Sequence, residues 1–285
     1  MTEASTTAYD PRLSIQGTGE AMVLVPGLDG TGELFYRQTP LLARTYRVAT
    51  YGLRDTAPSM DVLVDDLNGV IDQVAPAERR AVLVGESFGG ALALSYALAN
   101  PSRVSALVIL NSFPYFSPQL RLVAAIWGLR ALPWGAMRLS RRLTAFRLHS
   151  RHTHRREVKR FIELTARATR QGYVGRLQIL RRYDVRDRLQ ELRLDTLFLA
   201  SERDHLVPSV TQARYMASRV PSAQMQILEG HGHICLIAPD IDLEQIVGRW
   251  RASLSSSPGA AKREEQSQET VQPGDGRVRK DTHAP

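Results

Sequence analysis

Gly85-Glu86-Ser87-Phe88-Gly89-Gly90 lies between an apolar run, Ala81 to Val84, and a stretch of small and apolar residues, Gly89 to Leu98. The pattern predicts a buried strand that turns sharply into a helix. A serine used as a nucleophile on such a turn needs a strained backbone, and the residues two before and two after it must lack side chains to avoid collision. Gly85 and Gly89 meet that requirement. Gly90 lets the helix approach the sheet closely, while the helix N-terminus and the Phe88 N–H face the negative charge that develops on an attacked carbonyl. A glycine turn bearing a solvated serine would give the same six residues; the strand before them and the helix after them favour the nucleophile.

Working outward, Met22 to Val25 and Val104 to Leu110 read as further buried strands, rich in Val and Leu without polar alternation. Asp61 to Val74 sets Val62, Leu63, Leu67, Val70, Ile71 and Val74 on one side at helical spacing. The alternation resumes late in the chain with a strand over Thr196 to Ala200, a helix over Val210 to Ser218, a strand over Met225 to Leu228 and a helix over Ile241 to Leu254. Such alternation predicts an α/β fold: a mainly parallel, doubly wound sheet covered on both faces. Residues 13–112 and 195–254 would form its core, and 113–194 a helical cap punctuated by Pro114, Pro118 and Pro133. Residues 1–12 are expected to be a flexible N-terminus. Residues 255–285, dominated by Ser, Gly, Pro, Gln and charged residues, are expected to be a disordered tail.

A serine hydroxyl is a poor nucleophile at neutral pH and needs a base. His149, His152 and His154 fall in the arginine-rich stretch and His283 in the tail, whereas His231 and His233 follow the last predicted strand in Glu229-Gly230-His231-Gly232-His233-Ile234. His233 is the better candidate, since it leads into an apolar run, Ile234 to Ala238, that would fix the loop; His231 is the alternative. A His-x-His metal site is the other reading of this pair, but no third ligand lies nearby in sequence. The orienting acid is expected on a loop after a strand, where Asp204 stands in Ser201-Glu202-Arg203-Asp204, with Glu202 as competitor. The other common place for it, just after Val104 to Leu110, holds Asn111, which carries no charge.

The chain order is therefore Ser, Asp, His, and from about Leu13 to Leu254 the sequence resembles the α/β-hydrolase superfamily in its GESFGG, its Asp204 loop ending in Val207-Pro208 and its GHGH. The resemblance implies that 113–194 sits over the active site. It also implies a second oxyanion donor in the loop after an early strand, here Val25-Pro26-Gly27-Leu28-Asp29-Gly30-Thr31-Gly32, which matches the Leu28 N–H. Pro26-Gly27 replaces the family's frequent His-Gly. A phosphate-binding reading of these glycines fails: Glu33-Leu34 stands where a P-loop needs Lys followed by Ser or Thr, and the spacing is not GxGxxG. The expected activity is cofactor-free, metal-independent cleavage of a small carboxylic ester or related acyl substrate through an acyl-enzyme on Ser87. An acyltransferase with the same triad and a non-catalytic binding protein on the same fold are the rivals.

The net charge of +8 is unevenly placed: Phe113 to Leu194 holds 18 Arg and one Lys against five acids. A solvated basic surface is the ordinary reading of such a run. Among the sharper readings, attraction to a membrane surface, an acyl-thioester carrier or an acidic substrate, Leu122, Ile126, Trp127 and Trp134 beside those arginines favour an anionic membrane surface, while aromatic residues are too thin in the second half of the cap to stack nucleic-acid bases. Residues 1–20 contain no apolar run of the secretory type and no stretch approaches a membrane span, so a cytoplasmic protein is expected. Cys235, the single cysteine, has no partner for an internal disulfide.

Overall fold

The structure, a computed structural model, describes residues 12–75, 79–116, 128, 148, 150 and 152–256. The N-terminal segment, the tail from 257 onward and most of the Leu122 to Met137 stretch, with Trp127 and Trp134, lie outside the described residues. The chain divides into two units between Glu244 and Gln245, the first of which takes in both the sheet and the described part of 113–194.

Seven strands form one sheet: β1 (Ser14–Gln16), β2 (Glu20–Val25), β3 (Tyr46–Thr50), β4 (Ala81–Glu86), β5 (Val104–Leu110), β6 (Thr196–Ser201) and β7 (Ala223–Leu228), in the order β1-β3-β2-β4-β5-β6-β7. All neighbouring pairs are parallel except β1 with β3. The strands read from sequence are present within one to two residues at each end. Two others had no comparable signal. β1 is exposed along its whole length, and β3 is a short strand interrupted by Arg47, whose guanidinium reaches the Val74 carbonyl at 3.3 Å.

The helices are α1 (Thr39–Leu42), α2 (Met60–Val74), α3 (Phe88–Ala99), α4 (Arg155–Thr165), α5 (Arg170–Leu180), α6 (Ser209–Ala217) and α7 (Leu243–Ser255) among the described residues. α3 is nearly all small or apolar because it packs against β2, β4 and β5 on one side and α2 on another. The Ser59 hydroxyl caps α2, and Tyr96 of α3 donates to Asn68 of α2 at 2.8 Å. After β2 the chain moves outward to β3, then crosses back to β4 on the other side of β2, so the direction of winding reverses between β2 and β4. In open parallel sheets the crevice beyond the carboxyl ends of the strands at such a reversal is where ligands bind. The loops after β2 and β4, carrying Leu28 and Ser87, flank it.

The 113–194 stretch leaves and returns at one place: Tyr115 bridges Asp184, and the Val185 N–H donates to the Pro114 carbonyl at 2.8 Å. Phe161 of α4 packs with Leu34 and Ile237, and Glu157 of the same helix accepts from the Tyr36 hydroxyl. The basic residues are not uniformly free on the surface. Arg156 meets Glu157, Arg167 meets Glu33, Arg186 meets Asp184 and Arg188 meets Glu191, while Arg160 lies over the Tyr36 ring. Arg176 departs furthest from the solvated-surface reading, because its side chain is enclosed. No described helix is long and apolar enough to cross a membrane.

Candidate active site

Ser87 lies between β4 and α3 with φ 55° and ψ −119°, a region that residues with a Cβ rarely enter. Neighbouring residues hold it there through its backbone. Its N–H donates to the Leu110 carbonyl at 2.9 Å, and its own carbonyl accepts from the Ser112 hydroxyl at 2.7 Å and from the Gly90 N–H at 3.0 Å. The glycines supply the room. A Cβ at Gly85 would come within 2.4 Å of the Gly89 carbonyl oxygen, one at Gly89 within 2.1 Å of the Val25 oxygen, and one at Gly90 within 2.5 Å of the Ser112 Cβ. Each contact is closer than a side chain tolerates, which is why this turn needs glycine on both sides of the serine.

The three sequence candidates form one hydrogen-bonded chain. His233 Nε2 is 3.1 Å from Ser87 Oγ, and His233 Nδ1 is 2.7 Å from Asp204 Oδ2. Asp204 also accepts from the Leu206 and Val207 N–H groups, both at 2.9 Å, and from the Ser209 hydroxyl. Burial alone would push its carboxyl upward, yet the bonds to His233, Ser209 and Val207 outweigh it and hold the carboxyl below its ordinary range. An ionised carboxylate only accepts, so Nδ1 carries the proton and Nε2 is left as the acceptor facing the serine. Burial likewise disfavours the imidazolium of His233, but the Asp204 bond and charge, with a smaller contribution from Glu86, leave its pKa raised above the ordinary 6.5.

Glu202 and His231 have other partners. Glu202 accepts from the Gly230 N–H at 2.9 Å, and the His231 carbonyl accepts from the Arg203 N–H at 2.8 Å, so the two loops brace each other. The His231 ring lies 3.5 Å from Asp240 and faces His152 at 5.7 Å between centroids. His231 and His233 therefore point to different neighbours and do not converge on one point.

Asn111 is a residue whose part was not legible. It takes a left-handed φ of 48° just after β5, donates to the His233 carbonyl at 2.8 Å and to Ser201 Oγ at 3.0 Å, and accepts from the Ser201 N–H at 2.7 Å. An amide does this because it donates and accepts at once. Its position is the signal, since it stands at the strand end that is the other common place for the orienting acid. Glu86, beside the nucleophile, is buried with Oε1 lacking a hydrogen-bond partner, and burial pushes its carboxyl up to about 7 against the opposing pull of His233. Cys235 is also enclosed, and burial raises its thiol to about 12, so it stays neutral.

The two expected oxyanion donors sit on adjacent elements. Phe88 opens α3, so its N–H is among those that a helix leaves without an internal partner. Leu28 lies in the turn closed by Gly30 N–H to the Gly27 carbonyl at 3.0 Å, and a Cβ on Gly27 would lie 3.6 Å from the Glu86 oxygen, which places this turn over the end of β4.

A family profile described as alpha/beta hydrolase fold matches residues 20–238. A Cronobacter sakazakii protein provisionally named carbamate hydrolase RutD is 25% identical over 265 residues, covering 83% of this chain and 92% of its own. Pimeloyl-[acyl-carrier protein] methyl ester esterase of Aliivibrio fischeri is 26% identical over 246 residues, covering 78% and 90%. Among solved structures, a thermophilic esterase from Thermogutta terrifontis superposes with a TM-score of 0.76 at 21% identity, covering 89% of this chain and 97% of that one.

Proposed function

Since the chain belongs to the alpha/beta hydrolase fold family, we propose that it is a serine hydrolase that cleaves small carboxylic esters or related acyl compounds through an acyl-enzyme on Ser87. The observation that carries this reading is the unbroken chain from Ser87 Oγ through His233 to Asp204, mounted on a strained turn. Backbone strain at a polar residue held in place by β5, the residues just after it and α3 is the kind that accompanies catalysis.

In the first step Ser87 Oγ bonds to the carbonyl carbon as His233 Nε2 takes its proton, and the C=O pair moves onto oxygen. The N–H groups of Leu28 and Phe88 receive that oxyanion, and Asp204 stabilises the imidazolium. Collapse breaks the bond to the alcohol, which leaves with the His233 proton. Water then attacks the acyl-Ser87, giving its proton to His233, and the acid departs as Ser87 regains its hydrogen. The names of the two relatives support the substrate class. A carbamate and a methyl ester both present a carbonyl carbon that bears a leaving group.

The reading predicts that p-nitrophenyl butyrate is hydrolysed with one equivalent of acid per nitrophenol, even with a millimolar alcohol present. Transfer to the alcohol as the main outcome would establish the acyltransferase alternative, and absence of turnover would speak for a binding protein. The acid limb of kcat/KM should rise with pH as His233 loses its proton, with a midpoint above the ordinary 6.5. Glu86 ionises in the same range, so the limb belongs to the pair. Glu86→Gln removes a negative charge that raises His233 and should shift the midpoint down, whereas a limb unmoved by it would disconnect Glu86 from the base.

A further inference from the structure

We propose that Arg176, reaching down from α5 of the cap, is a positioning residue that fixes the direction of the Leu28 N–H; the inference rests on the serine-hydrolase reading and adds to it. Its side chain is 2% exposed. Nε donates to the Leu28 carbonyl at 2.9 Å, Nη2 to the Asp29 carbonyl at 3.0 Å and Nη1 to the Arg54 carbonyl at 3.3 Å. Its charge partner, Asp55, is 3.5 Å away and half-exposed.

A guanidinium enclosed this fully carries a desolvation penalty that a leucine or methionine of similar bulk would not. Burial accordingly draws its pKa down, against the charges of Asp29 and Asp55. What an apolar side chain cannot supply is a rigid fork of donors for three loop carbonyls. Glycines on both sides make space for that fork: a Cβ at Gly30 would lie 2.6 Å from the guanidinium, and one at Gly172 would lie 2.8 Å from Nη2 and 2.0 Å from Asp55 Oδ1.

The link to the oxyanion site is geometric. Leu28 N–H and the Gly27 carbonyl belong to one planar trans peptide, so they point in opposite directions. The Gly27 carbonyl is held by the Gly30 N–H, and the Gly30 carbonyl by the Leu53 N–H at 2.8 Å. Arg176 holds the two intervening carbonyls, of Leu28 and Asp29. With every carbonyl from 27 to 30 engaged, the Leu28 N–H has one direction, and seating of the cap is thereby tied to stabilisation of the transition state.

The test uses the full chain and its Arg176→Gln and Arg176→Lys variants. Lysine keeps a charge and enough of the bulk to fold if the amide does not, but cannot bridge the Leu28 and Asp29 carbonyls as a fork does. Loss of a whole oxyanion donor costs on the order of 100-fold to 1,000-fold in kcat. Misdirection of one should cost about 10-fold to 100-fold, with KM within about threefold. A phenylboronic acid, which forms a tetrahedral adduct on the serine, should lose affinity by the same factor as kcat/KM, while inhibition by butyrate stays unchanged. A purely structural role would not produce that match. Amide hydrogen exchange over 27–32 should also speed up. Variants that keep kcat and boronate affinity within about twofold of the parent, or unchanged exchange over 27–32, would overturn the proposal. A parent chain inert to the ester and to the boronate would defeat the hydrolase reading instead, and exchange in Arg176→Lys would still decide whether the clamp exists.

Discussion

Ser87→Ala is expected to reduce kcat on p-nitrophenyl esters by about five to six orders of magnitude, in line with the loss of a triad serine in other hydrolases. The fold should survive. The bonds that hold the turn run through the Ser87 backbone N–H and carbonyl, which alanine retains, and the side chain's hydrogen bond goes to His233. Circular dichroism and thermal melting should therefore match the parent within a few degrees. A variant with unchanged spectra and more than about a hundredth of the parent rate would show that another group attacks the substrate.

His233→Ala should cost nearly as much as Ser87→Ala, and the double variant little more than either, because a nucleophile without its base and a base without its nucleophile fail in the same step. His231→Ala should cost less than about tenfold, since its ring is directed at Asp240 and not at Ser87. Asp204→Asn belongs to the same series: an amide in place of the carboxylate no longer stabilises the imidazolium and favours the wrong tautomer, which elsewhere lowers kcat by about 10⁴. Glu202→Gln keeps an oxygen that can accept the Gly230 N–H and should be mild. Steady-state kinetics on these variants separate the neighbours. A large loss at His231 beside a small one at His233 would move the base by two residues.

Continuous apolar runs make the central strands β2, β4, β5 and β6 legible in the sequence, while β7, which is only partly buried, is legible from its place in the strand–helix alternation. β4, β5 and the first residues of α3 announce themselves through continuous apolar or small residues, because nearly all of them are buried. Elsewhere the constraint relaxes: the edge strand β1 exposes every residue, and β3, paired between β1 and β2, carries Arg47 as its second residue. The three residues of the hydrogen-bonded chain were found because each stands on a loop directly after a strand or element whose type the sequence declares.

The supporting residues were not found, and the reason is chemical. Asn111 lacks the charge that marks an orienting acid, yet an amide that donates to the His233 carbonyl and accepts from the Ser201 N–H does what no ionised carboxylate could. Arg176 was one arginine among 18 in a basic stretch. Only tertiary structure separates it from Arg156 or Arg167, which sit on the surface in ion pairs that contribute little. The direction in which a long side chain leaves its helix depends on what packs below, and a one-dimensional charge count holds no trace of that.

The most direct test of the central claim is a fluorophosphonate probe on the purified full chain, followed by digestion and mass mapping of the adduct. The account predicts one adduct per chain, placed on Ser87 in the peptide that holds Gly85 to Gly90, and its disappearance in both Ser87→Ala and His233→Ala. An adduct on another residue, or none on a folded chain under conditions that label a control esterase to completion, would contradict it.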